Sequence, residues 1–201
     1  HDMFRELGAA NLIAALGEQI GFPMMVKPAR SGSALGCTKV TQASELPAAI
    51  VAAFAYGDIA IVEEFIEGVE VAVSVIDTGG GPRALPAVEI RPRSGVYDYT
   101  ARYTAGETRF VTPADLSDAE AARCAELALA AHEALGLRDL SRTDLIVRDG
   151  EPVFIEVNVA PGMTETSLLP LAIEASDASF AEVCAALVRV ARQRSGDTDL
   201  P

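Results

Sequence analysis

The chain of 201 residues has no tryptophan, two histidines and three cysteines, and aromatic residues make up only 5% of it. With only His1 and His132, there is no Ser-His or Cys-His pair on which to build nucleophilic catalysis. Cys37, Cys124 and Cys184 are odd in number, far apart and without metal-ligand spacing, so they read as reduced thiols rather than a disulfide frame or zinc site. Basic residues are also scarce, with 16 Lys and Arg against 29 Asp and Glu and a formal charge of −13. Such a chain lacks the clustered cations that nucleic acid or an anionic membrane requires. No apolar run approaches the 18 residues of a membrane span, no internal repeat is present, and no signal peptide is expected. The expected compartment is the cytoplasm.

What is present is a 50% hydrophobic, 22% charged composition, enough to bury one or two cores. The stretch that organises the chain runs from Ser141 to Asn158. Two apolar runs, Leu145 to Val147 and Val153 to Val157, flank Asp149-Gly150 and predict a β-hairpin. Arg142 and Asp144 share one face of the first strand, and Glu156 and Asn158 share one face of the second. A two-residue loop pairs Asp144 with Ile155 and sends the two polar pairs to opposite faces. A three-residue loop, Arg148-Asp149-Gly150, with a left-handed Gly150 in a bulge, pairs Arg142 with Glu156 and Asp144 with Phe154, and is the register expected here. Two carboxylates and an amide oxygen then make a hard-oxygen set suited to Mg²⁺ or Mn²⁺. Taken alone, the pattern is equally that of a solvated strand face.

Upstream, residues 9–20 predict a helix stopped by Gly21 and Pro23, and strands follow over 24–29 and 37–41. The loop between them, Arg30-Ser-Gly-Ser-Ala-Leu-Gly36, is able to turn successive backbone N–H groups toward phosphate oxygens, or is a plain turn. Lys27 lies inside the first strand and demands an anionic partner, either a ligand or a local carboxylate. Ser44 is the expected cap of a helix reaching Tyr56 with Ile50, Val51 and Phe54 inward. Strands are expected over 60–66, 69–76 and 84–91, and 94–112 as a long irregular loop of the kind used for lids or binding. Ser117-Asp-Ala-Glu120 is a capping box opening a helix with Cys124, Leu127, Ala131 and Leu135 as its buried stripe. Ser179 to Glu182 caps a last helix with Phe180, Val183, Cys184, Leu187 and Val188 as its stripe, followed by an expected disordered tail over 195–201.

Five stretches occur in the order found in D-alanine:D-alanine ligases of the ATP-grasp superfamily: Val26 to Gly36, Val62 to Gly68, Tyr97 to Tyr103, Ser141 to Asn158 and Pro161 to Pro170. The chain resembles that family from about Gly21 to Val188. The resemblance implies an α+β ATP-grasp fold, two subdomains with antiparallel sheets gripping ATP between them. Residues 1–66 would be the remainder of the central subdomain and 67–194 the catalytic C-terminal one, with the family's N-terminal domain outside this chain. The partners implied are D-alanine and ATP, with two Mg²⁺ ions (Mn²⁺ as substitute) and a homodimer of the full-length protein.

Carried over residue by residue, Lys27 and Ser33 would contact the nucleotide phosphates. Glu63, Glu64, Phe65 and Ile66 would read the adenine edge, and Glu70 the ribose. Arg102 and Tyr103 fall on a substrate-contacting pair in a mobile loop that closes over ATP and substrate, Arg102 counting among the cofactor-binding residues, Ser33 and Tyr103 each among the catalytic ones. Asp144, Glu156 and Asn158 would hold the metal ions, Arg142 and the Gly162 N–H the reacting oxyanion, and Ser167 and Leu168 the second amino acid's carboxylate. The chain departs from the family pattern at Ser31, where Glu is usual, at Ala34, where Ser is usual, and at Arg102, where Lys is common. Tyr103, retained, favours dipeptide over depsipeptide formation. Other readings are a different ATP-grasp carboxylate–amine ligase, or an ATP-binding module without turnover. Under the ligase reading this chain alone is not expected to ligate, because in the family the N-terminal domain carries the first D-alanine site.

Overall fold

The computed structural model describes residues 8–197. It divides into two compact units, one taking the chain to Ile66 together with Pro92–Thr108, the other Glu67–Arg91 and everything from Arg109 onward. The stretch over 94–112 therefore falls partly in each, residues 94–108 with the first unit and 109–112 with the second.

In the first unit, α1 (Ala9–Gln19) precedes a three-stranded antiparallel sheet of order β2 (Thr38–Val40), β1 (Met24–Pro28), β3 (Ala60–Glu64). Alternation along β1 sends Met24 and Val26 into a core shared with Val40, Leu46, Ala49, Ile50 and Ala53. The other face carries Met25 and Lys27. The helix α2 (Leu46–Phe54) is not capped by Ser44, which sits in a 3₁₀ turn over Ala43–Glu45. Instead the Glu45 carboxylate accepts from the Thr41 N–H at 2.8 Å and from the Thr41 and Gln42 side chains, bonds that hold its carboxyl below the usual range. Val51, expected inward, is 66% exposed, and Leu46, Ala49, Ile50 and Ala53 form the inner face. The irregular stretch expected over 94–112 contains a short helix, α3 (Tyr99–Tyr103), capped by the Asp98 carboxylate on the Ala101 N–H. It also contains a strand, β7 (Thr108–Val111). A five-residue helix is too short to show a 3.6 period in the sequence.

The second unit is built on a sheet of order β7, β6 (Val88–Pro92), β4 (Val69–Ile76), β8 (Leu140–Arg148), β9 (Glu151–Asn158), with β5 (Arg83–Ala84) also paired to β4. On one face Val71, Val73, Val75, Leu145 and Val147 pack against Cys124 and Ala128 of α4 (Asp118–Ala134). Burial of Cys124 pushes its thiol up, in keeping with an inert core residue. The capping box at Ser117 and Glu120 is formed as expected. The buried stripe of α4 is Cys124, Ala128 and His132 rather than one ending at Leu135, which is 57% exposed. His132 is structural: its Nδ1 lies 2.8 Å from the Ser141 hydroxyl, pairing two buried polar groups. Two more helices follow, α5 (Leu168–Glu174) and α6 (Phe180–Asp197). In α6, Val183 and Ala186 are buried whereas Val188, expected in its stripe, is 59% exposed. The expected tail overlaps the end of α6, and residues 198–201 lie outside those described.

Glu89 on β6 is 6% exposed and is forked by the Arg91 guanidinium, with Asp115 N–H as a further donor. These partners hold its carboxyl below the usual range, Arg91 foremost. A depressed folded value contributes stability above the unfolded pKa that disappears as pH falls through the folded one. Urea unfolding should therefore show stability lost below about pH 4.3, the ordinary glutamate value, and the loss should be smaller in Glu89→Gln.

Candidate active site

The second unit carries the polar face. Asp149 (φ 53°) and Gly150 (φ 81°) are both left-handed, the signature of a two-residue type I′ turn, and Arg148 pairs with Glu151. The expected three-residue loop is thus wrong. The four polar residues meet by another route. Pairing runs Leu145 with Phe154, then skips Ile155, so that Asp144 faces Glu156 and Arg142 faces Asn158. That bulge at Ile155 inverts the alternation, leaving Phe154 on the α4 side with Leu145 and Glu156 on the opposite side with Asp144. No residue type at Ile155 announces it.

On this face Arg142 and Asp144 are 9% and 6% exposed, and the guanidinium grips the carboxylate with Nε–Oδ1 2.7 Å and Nη2–Oδ2 2.9 Å. Glu156 is exposed, and its carboxylate makes no hydrogen bond or ion pair among the described residues. The Asn158 Oδ1 accepts from the Ala160 N–H at 3.0 Å. Neighbouring β4 adds Ala72 beside Asp144, Ser74 beside Arg142, and Glu70 opposite Ile146, all on the same face. Gly162 is close-packed: a Cβ there would lie 2.6 Å from the Ser167 hydroxyl. That hydroxyl also sits 2.9 Å from Thr164 Oγ1 and accepts from the Thr164 N–H at 3.3 Å, folding the bend over itself. Leu168 is buried at the start of α5.

The donor set fits a hard divalent cation: opposed carboxylates of Asp144 and Glu156, an amide oxygen at Asn158, and no thiolate or imidazole. Both Asp144 oxygens already accept from Arg142, so a cation would share them with the guanidinium. Among the described residues, no three His, Cys, Asp or Glu side chains cluster as a metal site.

The first unit holds the other expected residues. The anion that meets Lys27 is Glu63, with Nζ–Oε1 2.7 Å. In the loop, Ser33 (φ 56°) and Ala34 (φ 58°) are left-handed, a conformation costing about 1 kcal/mol or more per residue. The Ser31 hydroxyl donates to Leu35 O at 3.0 Å, closing the loop at the position where this chain departs from Glu. The N–H groups of Ser33, Ala34 and Gly36 make no hydrogen bond among the described residues, which leaves them available to an anion. Ser33 Oγ and Tyr103 Oη lie 2.7 Å apart, joining loop and α3 across 70 residues of sequence. Arg102 stacks on Tyr97 with its guanidinium 4.2 Å from the ring centre and donates to the Tyr97 carbonyl at 3.3 Å. Tyr97 was not among the expected site residues, and the five-residue spacing to Arg102 gives no sign of the contact. Glu64 follows Glu63 at the end of β3, and Phe65 and Ile66 lie in the connection after it.

The family model described as D-ala D-ala ligase C-terminus matches residues 4–189. The chain belongs to that family. A D-alanine–D-alanine ligase from Bordetella petrii is 39% identical over 186 residues, covering 92% of this chain and 57% of its own length. The chain thus spans a little over half the length of this curated relative. Among solved structures, the VanG D-Ala:D-Ser ligase of Enterococcus faecalis matches with TM-score 0.80 and 33% identity, over 91% of this chain and 53% of that one. A Bacillus anthracis D-alanine–D-alanine ligase complexed with ATP matches with TM-score 0.72 and 25% identity, over 97% and 58%. The two-unit α+β architecture is accordingly the ATP-grasp fold of D-Ala ligases. Among the described residues no helix is long and apolar enough to cross a membrane.

Proposed function

We propose that the protein containing this chain is a cytoplasmic ATP-dependent ligase that joins two D-alanine molecules into the dipeptide used for peptidoglycan precursors. The observation that carries the reading is the face shared by Arg142, Asp144, Glu156 and Asn158, where one guanidinium, two acids and an amide stand in register. The reaction balances in two steps. A carboxylate oxygen of the first D-alanine attacks the γ-phosphorus of ATP, breaking its bond to ADP and giving an acyl-phosphate. The amine of the second D-alanine then attacks the acyl carbon, phosphate leaves, and the amine loses a proton.

Phosphoryl transfer needs charge neutralisation and positioning more than covalent help. Lys27, released from Glu63, and the N–H groups of Ser33, Ala34 and Gly36 would hold the phosphates. The bonded pair of Ser33 and Tyr103 would orient the reacting groups, and Arg102 would hold substrate charge. The Glu63–Ile66 segment would read adenine and Glu70 the ribose. Mg²⁺, held by Asp144, Glu156 and Asn158, supplies charge neutralisation at the transferring phosphate when bound. Arg142 and the Gly162 N–H would stabilise the oxyanion of the second step, about 3–4 kcal/mol per donor. Ser167 and the start of α5 would seat the incoming carboxylate.

The likeness to a D-Ala:D-Ser ligase favours one second reading, the same chemistry with another acceptor. Phosphate release by the full-length protein with ATP and D-alanine, against D-serine, D-lactate and L-alanine, tests both. Release dependent on D-alanine alone is expected. Release only when D-serine or D-lactate is added moves the assignment to the second reading, and no amino-acid dependence at all overturns the ligase.

A further inference from the structure

The face of the first unit's sheet opposite its core carries a row of three side chains across all three strands. Lys39 on β2 pairs with Met25 on β1, and Met25 pairs with Glu63 on β3, so the three stand side by side. Phe65 is two residues beyond Glu63, just past the end of β3, where the chain leaves the sheet for the segment connecting the two units. The Lys39 ammonium sits 3.8 Å from the centre of the Phe65 ring. The Phe65 N–H donates to the Pro23 carbonyl at 3.1 Å. Phe65, at the base of the departing segment, is thus engaged through its main chain by Pro23 and through its ring by Lys39.

We propose that Lys39 is a positioning residue for nucleotide binding: by capping the Phe65 ring it sets the backbone of the Glu63–Ile66 connection before the base arrives. The inference rests on the reading of that connection as the adenine contact, and assigns its rigidity to a strand that the reading leaves without a role. An ammonium on an aromatic face is worth more as water is removed from it. A segment ordered in advance also spares the nucleotide the cost of ordering it. Lys27 differs in kind, since its partner Glu63 must give way if the lysine is to meet phosphate. Lys39 keeps its ring contact with the nucleotide bound.

The experiment measures Kd for ADP with Mg²⁺, by calorimetry on the full-length protein, for wild type, Lys39→Met, Lys39→Arg, Phe65→Leu and the Lys39→Met/Phe65→Leu pair, with KM for ATP and kcat in parallel. Lys39→Met should weaken ADP and raise KM for ATP about fivefold while kcat falls far less. Lys39→Arg should stay within about twofold of wild type, because guanidinium keeps the cation–ring contact. In the Phe65→Leu background, Lys39→Met should cost nothing more. Three results overturn the inference alone: wild-type affinity in Lys39→Met, a full fivefold loss persisting in Phe65→Leu, or an equal loss in Lys39→Arg. A wild-type protein that binds no ADP overturns the nucleotide reading along with it.

Discussion

Glu156→Gln in the full-length protein should lower D-alanine-dependent phosphate release at least about a hundredfold, a loss of roughly 3 kcal/mol in transition-state stabilisation, while leaving the folded protein as stable as before. The combination follows from where the carboxylate sits. Glu156 faces Asp144 directly across the hairpin, yet it is exposed and its carboxylate has no hydrogen-bond or ion-pair partner among the described residues. Removing its charge breaks no contact within the protein, so the shift in unfolding midpoint should correspond to less than about 0.5 kcal/mol. Asp144 differs, because its oxygens are engaged by Arg142. In the proposed function that carboxylate is the group free to take a ligand, and a hard cation between phosphates is one that the neighbouring oxygens suit. Raising Mg²⁺ should restore part of the lost rate if Glu156 is a metal ligand. Near-normal release at low Mg²⁺ would remove the metal assignment from this face.

The hairpin shows how far the sequence carries such an argument. Asp149-Gly150 marks its turn correctly, because consecutive left-handed residues suit only a few side chains. What decides the chemistry, the extra residue at Ile155, is silent: a β-branched side chain fits a bulged or a regular strand alike. The polar faces therefore come together through a combination of turn and bulge that neither of the two simple loop lengths contains. The stripe of α4 fails for a different reason. In a helix rich in alanine several stripes are equally apolar, and the one chosen is fixed by packing against Val71, Val73 and Leu145 and by Ser141 satisfying His132. Lys27 lies between these cases. Its need for an anion is plain from an apolar strand, whereas the identity of Glu63 as that anion depends on β1 pairing with β3. Contacts such as Ser33 with Tyr103, separated by 70 residues, are beyond any local pattern.

Arg142→Met should destabilise the fold by about 3–5 kcal/mol, read as a lower urea midpoint, and should also abolish ligation. Asp144 is 6% exposed, and both its oxygens accept from Arg142. Without the guanidinium, a carboxylate stays in the sheet face with its desolvation uncompensated. Taking the acid away as well removes that penalty, since a buried ion pair and a well-packed apolar pair of similar volume have comparable net stability. Arg142→Met/Asp144→Leu should thus recover most of the lost midpoint yet remain without phosphate release, because it lacks both groups proposed as oxyanion donor and metal ligand. The double substitution separates what the pair does for the fold from what it does for the reaction. If Arg142→Met stays within about 1 kcal/mol of wild type, or the double variant is as unstable as the single one, the two groups are not the mutually dependent buried pair that their 2.7 and 2.9 Å contacts indicate.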